Sequence, residues 1–162
     1  MAVLNKQYEL IRETRESLFK YCETMSDEDY RRELETLGDK SIRNLHAHVA
    51  GCYQYWLGSF ALKQHFHMVD PIDIHNVSEM RDLFKSVNQL VEEFLNQFSD
   101  KWDMLITGRI PRQKNEEQLT ALWLLTHALT HEFHHKGQIV SIGRQLGYSP
   151  PDTDLIVPTL FK

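Results

Sequence analysis

Apolar residues recur at helical spacing in four long stretches of the chain. Leu4, Tyr8, Ile11, Leu18 and Cys22 mark the first, over about residues 4–22. A short acidic helix or turn, opened by "SDED", covers Ser26 to Leu37. The second long stretch starts at Ser41, whose hydroxyl suits an N-cap, and runs to about Gln64. The third begins after Ser78 and carries the amphipathic stripe Met80, Leu83, Phe84, Val87, Leu90, Val91, Phe94 and Phe98. Asn115, with Gln118 three residues on, resembles a capping box and predicts the start of the fourth. That helix runs to about Leu146 and stops at Gly147, with Pro150 and Pro151 behind it. Two stretches read as loops: His65 to Val77, and residues 99–114 with Gly108 and Pro111. No alternating pattern of strand length and no internal repeat is present. The expected fold is all-α, a four-helix bundle in a single domain over residues 1–162.

Composition removes several function classes. A length of 162 residues suits one domain with a proper core. The formal net charge is −5 and no Lys/Arg block occurs, so nucleic acid is not an expected partner. No apolar run approaches the roughly 20 residues of a membrane span. The opening MAVLNKQYEL lacks the apolar core of a signal peptide. Cys22 and Cys52 are too few for a disulfide framework and read as reduced, buried thiols. A cytoplasmic protein without membrane contact is expected. The apolar arc of the fourth helix covers roughly half its circumference, more than one core usually needs, so a homodimer is expected as well.

Nine histidines change the picture, because they cluster. His46 and His48 lie in the second long helix, His65, His67 and His75 in the loop after it, and His127, His131, His134 and His135 in the fourth. The stretch "THEFHHKGQ" contains His131-Glu132-Phe133-His134-His135, which fits the H-E-x-x-H template of zinc proteases. At about 100° per residue, His131 and His135 stand one turn apart at the edge of the apolar arc, while His127 and His134 fall outside it. Two imidazoles make a weak site, and zinc asks for three protein ligands or four. Proteases of this kind take their third ligand from further along the chain. After His135 there is no histidine and no glutamate, only Asp152 and Asp154 in a Pro-rich tail. The protease reading therefore ranks last. Glu132 has a quieter explanation as the i, i+4 partner of Lys136.

A third ligand is sought upstream, among His46, His48 and Cys52. His48 lies at the edge of an apolar arc made by Leu45, Val49, Trp56 and Phe60, and His46 nearer its middle. Periodicity leaves the choice open. The bland alternative for each is a histidine that hydrogen-bonds a neighbour at a helix edge. Three such residues on two helices of one bundle favour a metal site instead.

Two stretches, "SIRNLHAHVAGCYQYWL" and "LTHALTHEFHHKGQIVSIGRQLGYSPPDTD", resemble the DinB family of damage-inducible bacterial proteins, the DinB/YfiT-like putative metalloenzymes, which are distinct from the DNA polymerase of that name. The family pattern places a histidine eight residues before a Trp, as His48 precedes Trp56. It continues with an H-x-x-x-H pair, a basic residue, Gly and Gln, matched by His131, His135, Lys136, Gly137 and Gln138. It ends in LG-x-x-PP, matched by Leu146, Gly147, Pro150 and Pro151. The resemblance covers residues 40–155. It implies a four-helix bundle, usually dimeric, with a divalent metal held by His48, His131 and His135, and so selects His48 over His46. Relatives include transferases that use low-molecular-weight thiols. The expected function is that of a metal-dependent thiol S-transferase or hydrolase with a small-molecule substrate. A non-catalytic metal-binding stress-response protein, with Cys52 as a fourth ligand, is the alternative. Zinc and nickel lead among the metals, with iron and manganese behind them. No general base is evident, and Gln138 is a candidate for orienting a substrate or a water.

Overall fold

The computed structural model describes residues 2–35, 38, 40–110, 113 and 115–155. Its elements run α1 (Ala2–Cys22), α2 (Asp27–Arg31), α3 (Ile42–Tyr53), a π-helical segment (Gln54–Ala61), a 3-10 turn (Pro71–Asp73), α4 (Val77–Gln97), β1 (Leu105–Arg109), β2 (Glu116–Thr120) and α5 (Ala121–Gln145). The protein is mostly helical, and the four long helices that the pattern predicts are present.

Local chemistry sets most boundaries. Ser41 Oγ accepts from Asn44 N at 3.0 Å and opens α3, as expected. Helix α4 starts at Val77, slightly before the predicted start after Ser78, because Asn76 Oδ1 accepts from Glu79 N at 2.9 Å. The Glu79 carboxylate reaches back to His75 N and Asn76 Nδ2, which closes a reciprocal cap. Each such cap stabilises its helix by about 1 kcal/mol. At the far end of α5, Gly147 takes φ +93°. There Tyr148 N donates to Gly143 O and Gly147 N to Arg144 O, satisfying the last carbonyls where the sequence predicts the stop.

Two expected helix boundaries are corrected, and the predicted loop 99–114 contains the strand β1. Residues 116–120 form a strand and not the first turn of a helix; β2 pairs antiparallel with β1 in the register Leu105↔Thr120 to Arg109↔Glu116. Asn115 and Gln118 are thus no capping box. The cap of α5 is Thr120, whose Oγ1 accepts from Trp123 N at 3.1 Å. The hairpin draws its shape from what it rests on. Tyr55 Oη donates to Arg109 O and Lys63 Nζ to Thr107 O. Gly108 lies flat on the Phe60 ring, where a Cβ would come within 2.7 Å. The second correction concerns α3, which does not continue as an α-helix to Gln64. From Gln54 it widens into a π turn, with Leu62 N donating to Leu57 O at 3.1 Å.

The core is built from Tyr30, Tyr53, Leu57, Phe84, Phe94 and Leu124, all with next to no exposure. Each such large side chain contributes about 1.5–3 kcal/mol by leaving water. Helix α3 packs against α4 and α5, and α1 against α4 and α5. Among the described residues no helix is long and apolar enough to cross a membrane.

A charged pair lies inside this core. Arg15 of α1 meets Glu132 of α5 in a two-pronged contact, Nε to Oε1 at 2.6 Å and Nη2 to Oε2 at 2.8 Å. Tyr53 Oη donates to the same carboxylate at 2.5 Å, and Arg15 Nη1 to Asn88 Oδ1 at 2.8 Å. One network therefore joins α1, α3, α4 and α5. Burial works against the Arg15 charge, but Glu132 outweighs it and holds the guanidinium pKa well above its ordinary value. This replaces the expected Glu132–Lys136 pair. Lys136 instead sits 3.9 Å from the Phe133 ring centroid and donates to Thr153 O.

Candidate metal centre

Because α3 and α5 lie side by side, residues one turn apart on each face each other across the seam. His48 on α3 meets His131 and His135 on α5. The Nε2 atoms of His48 and His131 are 3.0 Å apart. The His135 ring centroid lies 4.7 Å from that of His48 and 4.4 Å from that of His131. One ligand nitrogen from each of the three lies within 4.8 Å of the other two. For an ion about 2.0–2.1 Å from each nitrogen, ring nitrogens must approach to roughly 3 Å, so this group could hold one.

Electrostatics keeps the three rings ready. Burial lowers the pKa of His48, and it lowers that of His131 to about 4, with the neighbouring histidines adding to the effect. His135 is lowered by burial too, against the opposing pull of Gln138. All three are neutral near pH 7, the form that carries a lone pair for a metal. Gln138 does a further job. Its Oε1 accepts from His135 Nδ1 at 2.7 Å, which puts the proton on Nδ1 and leaves Nε2 free. Its amide nitrogen faces His134 Nε2 at 3.4 Å. Gln138 thus orients a ring, a role the helical spacing does not announce.

A cavity of about 250 Å³ opens beside the group, lined by His48, His131, Cys52, Tyr55, Trp56 and Met68, largely with apolar surface. Gly51 allows Met68 to close one wall, since a Cβ there would meet Met68 Cε at 2.5 Å. A larger cavity, about 470 Å³, lies between α1 and α4. Its Arg81 already pairs with Glu16 and Glu23, and it holds no histidine.

The remaining candidates separate clearly. His46 is buried in the core, 5.1 Å from the Phe19 ring, with Nδ1 3.2 Å from Tyr30 Oη. Burial, with Arg15 adding to it, pushes its pKa to about 3. It does not join the group. His134 is exposed. Glu132 is committed to Arg15 and Tyr53, so the general base of an H-E-x-x-H protease is missing. Cys22 and Cys52 are free and buried, as expected. His127, expected outside the buried face, is half-buried instead, because Trp56 from the π segment reaches over it with ring centroids 5.0 Å apart.

Helices, histidine group and C-terminal stop agree with the resemblance drawn from the sequence. The chain matches the model of the DinB family over residues 1–159, and it belongs to that family. A search among curated proteins gave no match. Membership together with the histidine group supports a metal-binding DinB-like protein, with a divalent ion as its cofactor.

Proposed function

We propose that this protein is a metal-dependent enzyme of the thiol S-transferase or hydrolase kind, with His48, His131 and His135 as its ligands. One observation carries the reading: three imidazoles from two helices converge, and two of them, His48 and His131, stand in the wall of an apolar cavity that admits a small molecule. A divalent ion there supplies Lewis acidity, lowering the pKa of water or a thiol toward neutrality. Gln138 fixes the His135 ring. Tyr55, Trp56 and Met68 give the apolar part of a substrate a place against the group and keep water away. The substrate class is a small electrophile, with a low-molecular-weight thiol as its partner in the transferase version. Zinc and nickel suit three nitrogen donors best, with iron and manganese next.

We read the four long helices as a four-helix bundle and the assembly as a cytoplasmic homodimer. Met104, Leu105, Leu122 and Trp123 flank the start of α5 with 51%, 57%, 42% and 42% of their surface exposed, a face that a second copy would cover. The competing reading is a non-catalytic metal-binding stress-response protein, in which Cys52 closes the site. The geometry favours the open version, because Cys52 groups with His127 and His131 and not with all three ligands. The test is direct. Protein stripped of metal and reloaded with zinc, nickel, iron(II) or manganese is assayed for thiol transfer to electrophiles and for ester and amide hydrolysis. Metal-dependent turnover that His131→Ala abolishes is expected. No turnover with any ion would sink the enzyme reading.

A further inference from the structure

Helix α5 presents His127, His131 and His135 on three successive turns, and α3 presents His48 and Cys52 on two. The seam between them is a ladder with two rungs. The upper rung is the three-imidazole group already described. The lower one has a different donor set: Cys52 Sγ and one ring nitrogen each of His127 and His131, all within 4.8 Å of one another. We propose that Cys52, His127 and His131 form a second metal position that takes thiophilic ions such as cadmium(II). It shares His131 with the upper group, so that one chain holds one ion in either place.

The His127 ring is held in position. Trp123 stacks on it at 5.0 Å with planes 9° apart, and Trp56 meets it edge-on at 5.0 Å. Its other neighbour is His131, at 5.7 Å and 26°. The two indoles also touch each other at 5.5 Å, and a ring packed against such a pair gives up little rotational freedom when it binds an ion. The donor chemistry then separates the two positions. One thiolate and two imidazoles form a softer set than three imidazoles, and soft ions prefer sulfur. The thiol proton goes to solvent as the sulfur–metal bond forms. Exclusivity follows from His131, since a neutral imidazole has a single lone-pair nitrogen to give. Apart from the shared His131, this position needs neither His48, His135 nor a substrate, so it can be tested without the catalytic reading.

The experiment is cadmium(II) titration of the full chain, stripped of metal and kept reduced, with the thiolate-to-metal absorption and the ions bound per chain as readouts. Cys22 lies in the core with 1% exposure, outside both groups, so the band reports Cys52. Unmodified protein is expected to saturate at one cadmium with a thiolate band. His135→Asn keeps the band, Cys52→Ser removes it, and His127→Asn weakens cadmium binding by roughly tenfold or more, the scale on which lost support acts at metal sites. A band lost in His135→Asn but kept in His127→Asn overturns the proposal, because Cys52 would then complete the upper group. Absence of a band in the unmodified protein, or two cadmium ions per chain, overturns it as well. Should Cys52→Ser not fold, cadmium-edge X-ray absorption of unmodified protein decides, one sulfur and two nitrogens supporting the lower rung and an all-nitrogen shell refuting it. Nickel binding to His127→Asn, expected to be unchanged, tests the three-imidazole reading separately.

Discussion

Replacing Glu132 by Gln would leave the Arg15 guanidinium buried and unpaired where four helices meet. Side-chain exposure in this pair is 4% for Arg15 and 10% for Glu132, so water cannot take over the role of the lost charge. The amide keeps the shape and one acceptor oxygen but loses the second prong and the negative charge. Removing one member of a buried pair costs about 3–5 kcal/mol, because the other is left uncompensated. At this chain length each kcal/mol is worth about 2–4 °C, so the melting temperature should fall by roughly 6–20 °C. The companion variant Arg15→Met/Glu132→Leu removes both charges. It should lose no more than about 2 kcal/mol, mainly from the Tyr53 hydroxyl left without its partner, since Asn88 Oδ1 still accepts from Tyr8 Oη. Urea and thermal unfolding of the metal-free protein, followed by circular dichroism, measure both. A single variant within about 1 kcal/mol of the parent, or a double variant worse than the single, would refute the claim that this pair is held by charge in a dry interior.

Three further outcomes follow from the same geometry. His46 titrates near 6.5 in the unfolded chain and near 3 when folded, so between those values the unfolded state binds the extra proton. Stability is fully present above about pH 6.5 and is lost as pH falls; going from pH 8 to 5 should cost about 2 kcal/mol through this residue. Urea unfolding at both pH values should show that loss reduced in His46→Gln, and equal losses in parent and variant would contradict it. Gln138→Leu removes the acceptor that fixes His135 and should weaken zinc or nickel binding about 10–100-fold in a chelator competition, with the melt of the metal-free protein unchanged. Unaltered affinity would show that Gln138 is only a solvated polar residue. Gly143→Ala places a Cβ 2.2 Å from Tyr21 Oη, itself bonded to Tyr148 O, and should cost about 1–3 kcal/mol in a thermal melt. A neutral substitution would mean that Tyr21 moves aside freely.

The parts legible in the sequence were those carried by period and by single capping residues. Ser41, Gly147 and the stripe from Met80 to Phe98 each act within one turn, so spacing alone reveals them. The pairing of His131 with His135 is likewise local. The hairpin was not legible, because of β1 only Ile106 is buried and β2 has no fully buried residue, which leaves no alternation to detect. Its partners are Phe60, Tyr55 and Lys63, around fifty residues upstream. The π turn after Tyr53 was equally silent, since any apolar helical run such as "QYWLGSFA" reads as α by periodicity. Trp56 lies in that turn and packs against His127, which it shields. Glu132 misled for a related reason. Lys136 is its neighbour on the helix, but Arg15 reaches it from another element with two hydrogen bonds, and the Lys136 amine turns to Thr153 O and the Phe133 ring instead. Periodicity leaves His46 and His48 open and the resemblance names His48; the physical reason that His46 stays out of the group lies in the core, where Phe19, Tyr30 and Phe84 surround it.

Elemental analysis is the most direct test of the central claim, that imidazoles from α3 and α5 hold one divalent ion. The parent and His131→Ala are purified without added metal, reloaded under identical conditions and freed of excess ion. The account predicts close to one equivalent of a divalent metal in the parent and almost none in His131→Ala. Equal metal in both proteins, or none in the reloaded parent, would contradict it.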